Sequence, residues 1–256
     1  MIRLERTGAV TALVLARPQM GNALVPELLQ TLQACLAQVQ NDRGCHAVVL
    51  AAEGEVFSLG GDMRRFAREY KGDIEAYAFH LVGLLNQCIL ALIDLPQPVV
   101  AAVQGHVTGG SVGLVLASDL VVLAQEAVLK AHYLNAGFAP DGGWSALLPA
   151  RIGRGRAAAA LLLNHSIRAA EAAEWGLATK VLPGEQVAAE AQRLAQQLAL
   201  APPSTLQSAK RLLWGERETI AAGLESERRA FVAQVAGARD GVSHFLERFT
   251  TYPREV

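Results

Sequence analysis

The chain has 256 residues, of which 52% are hydrophobic and 18% charged, and its formal net charge is −1. This composition predicts a soluble globular protein, and the lack of a long basic block excludes the usual footprint of nucleic-acid binding. No apolar run reaches the roughly 18 residues of a membrane span. The N-terminal segment lacks the apolar stretch of a secretory signal, and the three cysteines form no C-x-x-C pair, so we expect a cytoplasmic protein without disulfides.

Strand-like and helix-like segments alternate as far as about Leu182. "TALVLARP" alternates and stops at Pro18, which indicates a half-buried strand, and residues after Pro26 recur at helical spacing. "HAVVLAA", "PVVAAVQG" and "DLVVLA" are apolar runs typical of strands covered on both faces. Because these runs are separated by helix-like segments, the pattern predicts crossover connections, parallel strands and an α/β fold.

Beyond Leu182 the pattern is helical only. A helical extension that has no core of its own usually packs on its parent domain or on a neighbouring subunit. We therefore expect a core over residues 1–195 and a C-terminal helical oligomerisation region over residues 196–256.

Two glycine corners, "VFSLGGDM" and "VQGHVTGGSVGL", each join a strand-like run to a helix-like segment. A helix start offers backbone N–H groups without partners, and glycine lets a ligand approach them closely. Two such corners facing one point would hold a negatively charged oxygen between two N–H donors. The alternative is that the glycines serve only tight turns and close packing.

The second corner also resembles motifs of other enzyme classes. No G-x-G-x-x-G occurs there, and Ser111 stands where a phosphate-binding loop needs lysine. "GGSVG" matches the nucleophile elbow of serine hydrolases, with Asp141 and then His165 or His244 following in the proper order. The residues "QGHVT" separate this motif from the strand and favour a loop, so a serine esterase on Ser111 remains an alternative.

Four segments in order resemble the enoyl-CoA hydratase/isomerase, or crotonase, superfamily: "FSLGGDM", "PVVAAVQGHVTGGSVGLVLASDLVVLA", "NAGFAPDGGWSALLPARIG" and "AAEAAEWGLATKVLP". The resemblance implies a spiral of ββα units and an acyl-CoA thioester as substrate, with no other cofactor. It implies an oxyanion hole formed by the backbone N–H groups of Gly61 and Gly110. It also implies a homotrimer or a dimer of trimers assembled through the C-terminal helices.

Hydratases of this family resemble one another in using two glutamates, and this chain has Gly113 and Tyr133 at those places. One carboxylate remains in "GFAPDGG", where the sequence is most similar to the 1,2-epoxyphenylacetyl-CoA isomerases, so the resemblance implies that Asp141 moves a proton. A hydratase or lyase in which Asp141 acts with water, and a CoA-binding protein without activity, remain alternatives. Local sequence alone favours a different role for Asp141, as the N-cap of a helix.

Further residues are candidates for binding the substrate or its CoA. Arg64 stands where relatives carry a basic residue near the CoA phosphates, whereas Asp62 is expected to cap the next helix. The other candidates are Gly60 and Gly109 at the corners, with Tyr133 and Asn86 at the acyl pocket. The six histidines show no pair at a three- or four-residue spacing, so no metal site is expected.

Overall fold

The computed structural model describes residues 1–249, so residues 250–256 of the predicted C-terminal region lie outside the described residues. In the described range, nine strands form two sheets. The strands are β1 (Ile2–Thr7), β2 (Val10–Leu15), β3 (Ala47–Ala52), β4 (Val99–Val103), β5 (His106–Thr108), β6 (Leu120–Ala124), β7 (Val128–Lys130), β8 (Ile167–Arg168) and β9 (Lys180–Leu182). The large sheet has the order β1-β2-β3-β4-β6-β9, and the small sheet has the order β5-β7-β8.

The large sheet is parallel except at its first strand, where β1 pairs antiparallel with β2. Strands β4 and β6 are almost entirely buried, as their continuous apolar runs predict. The predicted α/β class with parallel strands is therefore confirmed. Sequence reasoning missed β1, whose "IRLERT" is mostly exposed at the sheet edge, and the short strands of the small sheet.

Twelve α-helices lie within residues 1–249. They are α1 (Pro26–Asn41), α2 (Met63–Glu69), α3 (Ile74–Asp94), α4 (Val112–Leu116), α5 (Tyr133–Ala136), α6 (Leu148–Ile152), α7 (Arg154–Leu162), α8 (Ala169–Glu174), α9 (Gly184–Ala199), α10 (Pro203–Trp214), α11 (Arg217–Val235) and α12 (Arg239–Arg248). Helix α1 begins at Pro26, and Asp62 caps α2 by accepting a hydrogen bond from the Arg65 backbone N–H. Both features agree with the sequence-based expectation.

A repeated unit explains how the glycine corners come together. A strand of the large sheet, a strand of the small sheet and a helix follow one another in β4-β5-α4 and again in β6-β7-α5. Strand β3 begins a similar unit, in which an isolated bridge from Ser58 to Val107 replaces the small-sheet strand before α2. This succession is the spiral of ββα units that the resemblance implied, and each glycine corner lies between the second element and the helix.

Helix α3 is the one helix among residues 1–249 that is long and apolar enough to cross a membrane by length and composition. It packs between α1 and α11 inside the protein, and most of it is buried. Packing in the core therefore accounts for its apolar composition.

The C-terminal helices close over the core of their own chain. Helix α9 runs across the expected boundary at residue 195 and packs on β3, β4 and β6, so the break in regular structure falls at residues 200–202. Helix α11 packs along α3, and α12 contacts α2 and α5. Packing on the parent domain, one of the two expected arrangements, is present.

Candidate active site

Backbone hydrogen bonds hold the two glycine corners side by side. The Ser58 N–H donates to the His106 carbonyl, and the Thr108 N–H donates to the Ser58 carbonyl at 3.0 Å. Gly60 has a φ of +74°, and a Cβ on it would lie 2.5 Å from the Thr108 carbonyl oxygen. Glycine is therefore required at this point, both for the backbone conformation and for the close approach of the corners.

The corners present two free amides. Gly61 and Gly110 line the same pocket, and within residues 1–249 neither backbone N–H has a hydrogen-bond acceptor. Gly109, which also lines the pocket, has a φ of +55° and turns the chain from β5 into the helical turn that carries Gly110. Two unpaired donors in one pocket have the chemistry needed to bind a developing oxyanion.

Asp141 lies directly above the second corner. The residue is 7% exposed, and a Cβ built on Gly110 would lie 2.9 Å from each of its carboxylate oxygens. The Tyr133 hydroxyl donates to Asp141 Oδ1 at 2.6 Å and contacts the Asp141 carbonyl oxygen at 2.9 Å. Oδ2 has no hydrogen-bond donor among the described residues and so is available to a ligand.

Burial controls the ionisation of Asp141. Burial raises the pKa of the Asp141 carboxyl to about 7, the hydrogen bond from Tyr133 opposes this rise, and the negative charge of Glu227 adds to it. Burial, together with the neighbouring Asp141 charge, raises the pKa of Tyr133 well above its ordinary value, so its hydroxyl stays a donor. A carboxyl with a pKa near 7 can both accept and donate a proton at neutral pH.

The capping interpretation of Asp141 is wrong in this structure. The backbone N–H groups of Gly143, Ser145 and Ala146 donate instead to the carboxylate of Glu227 on α11, at 2.7, 2.6 and 3.0 Å. A remote residue therefore stabilises the turn, and the carboxylate of Asp141 remains directed at the pocket.

The pocket is mostly apolar, and its polar lining consists of the corner amides, Thr108, His132, Tyr133 and Asp141. It encloses about 590 Å³ of empty space including its mouth, and Phe66, Phe138 and Phe231 form an aromatic wall with ring centroids 4.8 to 6.0 Å apart. Burial lowers the pKa of His132 to about 4, so this side chain is neutral at pH 7. Among the described lining residues, Asp141 is the only carboxylate.

A second groove continues outward from Gly61. It shares Thr108 and His132 with the first pocket and includes the exposed Arg64. Arg64 has no ion-pair partner within residues 1–249. A long ligand could therefore extend from the surface past the corner amides into the aromatic pocket.

The resemblance places the two glutamates of a hydratase at positions 113 and 133, and the surroundings of Gly113 and Tyr133 can now be described. A Cβ on Gly113 would overlap the carbonyl oxygen of Gly142 and lie 2.5 Å from Ile89 Cδ1, so the backbone leaves no room for a side chain. At the other position, the hydroxyl of Tyr133 is bonded to Asp141. Position 113 therefore has no room for a side chain, and the side chain at position 133 is a hydrogen-bond donor to Asp141.

Asn86 and Ser111 have different surroundings from those that the sequence led us to expect. Asn86 does not line the pocket, because its side chain donates to the Leu224 carbonyl at 3.0 Å and fastens α3 to α11. Ser111 is fully buried, and its hydroxyl donates to the Thr108 carbonyl at 2.8 Å and lies 3.2 Å from the Ser58 carbonyl oxygen. A hydroxyl held in this way is not placed as the nucleophile of an esterase.

Sequence reasoning overlooked Glu227, although a signal was present. Leu224, Glu227, Phe231 and Val235 recur at helical spacing and form the buried face of α11. A glutamate on an apolar face predicts a buried charge that needs partners. The identity of those partners was not readable, because they lie more than 80 residues away in sequence.

Comparison with known proteins agrees with this geometry. A family model described as enoyl-CoA hydratase/isomerase matches residues 5–252. The 1,2-epoxyphenylacetyl-CoA isomerase of Escherichia coli is 32% identical over 93% of this chain and 92% of its own, and 4-chlorobenzoyl coenzyme A dehalogenase-2 of an Arthrobacter species is 32% identical over 98% and 90%. A crystal structure of an enoyl-CoA hydratase from a Polaromonas species is 30% identical, with a TM-score of 0.79 over 96% of this chain and 97% of that one. With paired corner amides, a buried acid and matches over nearly its whole length, the chain belongs to the enoyl-CoA hydratase/isomerase family.

Proposed function

We propose that this protein is an acyl-CoA isomerase that moves a proton, and with it a double bond, through a thioester enolate. The observation that carries the proposal is the single carboxylate of the pocket, Asp141. It lies next to the free amide of Gly110, and its pKa is raised to about 7. One group that can both take and return a proton suffices for isomerisation, whereas hydration also needs a group to position and activate water.

In the proposed reaction the thioester oxygen lies between the N–H groups of Gly61 and Gly110. Asp141 removes a proton from the α-carbon, and the electron pair of that C–H bond moves onto the thioester oxygen as an enolate. The two amides stabilise the negative charge that develops there. Protonated Asp141 then returns the proton to the γ-carbon, the double bond shifts into conjugation, and the carboxylate is regenerated.

The same geometry supports the binding mode of the substrate. The acyl group occupies the aromatic pocket of Phe66, Phe138 and Phe231, and the CoA portion follows the outer groove towards Arg64. The enzyme needs no cofactor beyond the CoA that the substrate carries, and we place it in the cytoplasm.

We also propose that the active enzyme is a homotrimer or a dimer of trimers. Leu212 and Leu213, near the end of α10, are 81% and 87% exposed, and Lys210 is the one buried residue of that helix. An apolar end of this kind favours burial against another subunit. Light scattering should give a trimer or hexamer, and the double variant Leu212→Glu/Leu213→Glu should give monomers; a wild-type monomer would contradict the proposal.

A product assay tests the function. Purified enzyme is incubated with β,γ-enoyl-, dienoyl- and epoxyaryl-CoA thioesters, and the products are resolved by liquid chromatography and mass spectrometry. The proposal predicts an isomer of unchanged mass from at least one thioester. A product heavier by one water would favour the hydratase alternative, and binding without turnover across the panel would favour a CoA-binding protein; either outcome would overturn the isomerase.

A further inference from the structure

Glu227 is a buried carboxylate that the proposed proton transfer does not itself use. It lies on α11, is 4% exposed, and has no cationic partner among the described residues. A buried negative charge without a counterion is costly, so hydrogen bonds must stabilise it. Its neighbour Glu225 on the same helix is instead paired with Arg228 and Arg229 near the surface.

Four donors surround the Glu227 carboxylate. Oε2 accepts from the Gly143 N–H at 2.7 Å, and Oε1 accepts from the Ser145 N–H and hydroxyl at 2.6 Å each and from the Ala146 N–H at 3.0 Å. All four belong to the turn over residues 143–146, which begins two residues after Asp141. The carboxylate therefore fastens this turn to α11.

The turn determines where Asp141 lies. Gly142 and Gly143 both have positive φ, and a Cβ on Gly142 would overlap the carbonyl oxygen of Gly110. The segment is thus pressed against the second corner on one side and held by Glu227 on the other. Any movement of this segment would displace the Asp141 carboxylate from its place above Gly110.

The two carboxylates also interact through their charges. The groups acting on the ionisation of Asp141 are Tyr133 from α5, whose hydrogen bond favours the anion, and Glu227 from α11, whose charge disfavours it. Burial raises the pKa of Glu227, and its four hydrogen bonds oppose that rise. Because Glu227 has four donors and Asp141 has one side-chain donor, Glu227 is the member of the pair better able to stay ionised while Asp141 exchanges a proton.

We propose that Glu227 is the positioning residue of the active site: it holds the turn over residues 143–146 so that Asp141 stays above Gly110, and its fixed negative charge strengthens Asp141 as a base. This inference rests on the proposed role of Asp141 as the proton carrier. It assigns to α11, a C-terminal helix, a direct part in tuning the chemistry of the core.

The test compares Glu227→Gln with the matched control Glu225→Gln. Each variant is measured for melting temperature and for the pH dependence of kcat/KM with whichever thioester the wild-type enzyme isomerises. Glu227→Gln removes the charge, so the ionisation of Asp141 should move to lower pH and kcat should fall about tenfold, since a weaker base transfers the proton more slowly. Glu225→Gln should match the wild type in both respects.

A conservative variant covers the case in which Glu227→Gln does not fold. Glu227→Asp keeps the charge but shortens its reach, so it should lower kcat while leaving the ionisation limb near its wild-type pH. The electrostatic role would be overturned if folded Glu227→Gln showed the ionisation of Asp141 in its kcat/KM profile at the wild-type pH. It would also be overturned if this ionisation moved to lower pH in Glu227→Asp. Asp141→Asn separates the two proposals: if it is fully active the proposed function fails, and if it is inactive while the Glu227 variants keep wild-type kinetics, only the role of Glu227 fails.

Discussion

Asp119 and Asp141 are both largely shielded from solvent, but their carboxylates contact different partners. Asp119 accepts from the Val99 N–H at 2.7 Å and from Trp214 Nε1 at 2.7 Å, and it pairs with Lys210 Nζ at 3.0 Å. Asp141 receives one side-chain donor, the Tyr133 hydroxyl, and no cation contacts it within the described residues.

This difference distinguishes a carboxylate that stabilises the fold from one that is suited to proton transfer. Donors and a cation stabilise the charged form of a carboxylate, whereas burial beside an apolar cavity favours the neutral form. Asp119 therefore serves to join α10 to β4 through fixed contacts. Asp141 keeps a pKa near neutrality and an oxygen free for a ligand.

Replacing Asp141 with asparagine removes the carboxylate that accepts a proton but keeps the size and shape of the side chain. Turnover should fall by about 10² to 10⁴-fold, the usual contribution of general acid–base catalysis, because an amide cannot accept the proton. The melting temperature should stay the same or rise, since no charge has to be buried. Steady-state kinetics and thermal unfolding of the purified variant check both parts, and full activity at an unchanged melting temperature would exclude Asp141 as the proton carrier.

The same replacement at Asp119 should give the opposite result. Asp119→Asn leaves Lys210 buried against two carbonyl oxygens without its anion, which should cost about 3 to 5 kcal/mol of unfolding free energy. The kcat of the folded enzyme should be unchanged. Urea unfolding measures the loss, and the double variant Asp119→Asn/Lys210→Met should recover part of it; an Asp119→Asn protein as stable as the wild type would show that the pair is not structural.

Tyr133→Phe removes the one side-chain hydrogen-bond donor of Asp141. That donor lowers the pKa of Asp141, so its loss should move the ionisation limb of kcat/KM to higher pH. A hydrogen bond to a charged group contributes about 1.5 to 3 kcal/mol, which corresponds to a rise of about one to two pKa units. Because less of Asp141 is then ionised, kcat/KM at neutral pH should fall about tenfold or more. Tyr77→Phe is the control, because the Tyr77 hydroxyl has no partner among residues 1–249; equal pH profiles for the two variants would argue against the Tyr133 contact.

The raised pKa of Asp141 should also appear as a pH dependence of stability. The folded pKa of Asp141, about 7, lies above the value of 3.8 for a free carboxyl, so the folded state binds more protons between these pH values. The free energy of unfolding contributed by this group is therefore fully present below about pH 4 and is lost as the pH rises to about 7. Chemical denaturation over this range should show a shallower pH dependence for Asp141→Asn than for the wild type, and parallel curves would contradict the raised pKa.

The sequence was most informative where function depends on local chain geometry. The corner glycines could be identified because an apolar strand that breaks into glycine before a helix leaves backbone amides open to a ligand, and Asp141 because it stands in a motif with family-like surroundings. The roles of Asn86 and Glu227 could not be predicted in the same way. Helix α3 is buried on most sides, so its sequence did not show which face meets the pocket, and the partners of Glu227 are brought to it only by the folding of α11 over the core.

If Asp141 carries a proton from one carbon to another, an isotope on the first carbon should be transferred to the second. A β,γ-enoyl-CoA deuterated at its α-carbon is converted in ordinary water, and the position of the label in the product is read by mass spectrometry and NMR. We expect an isomer of the substrate in which part of the deuterium has moved to the γ-carbon, and no such transfer by Asp141→Asn. A product that carries added water, or equal label transfer by wild type and Asp141→Asn, would contradict it.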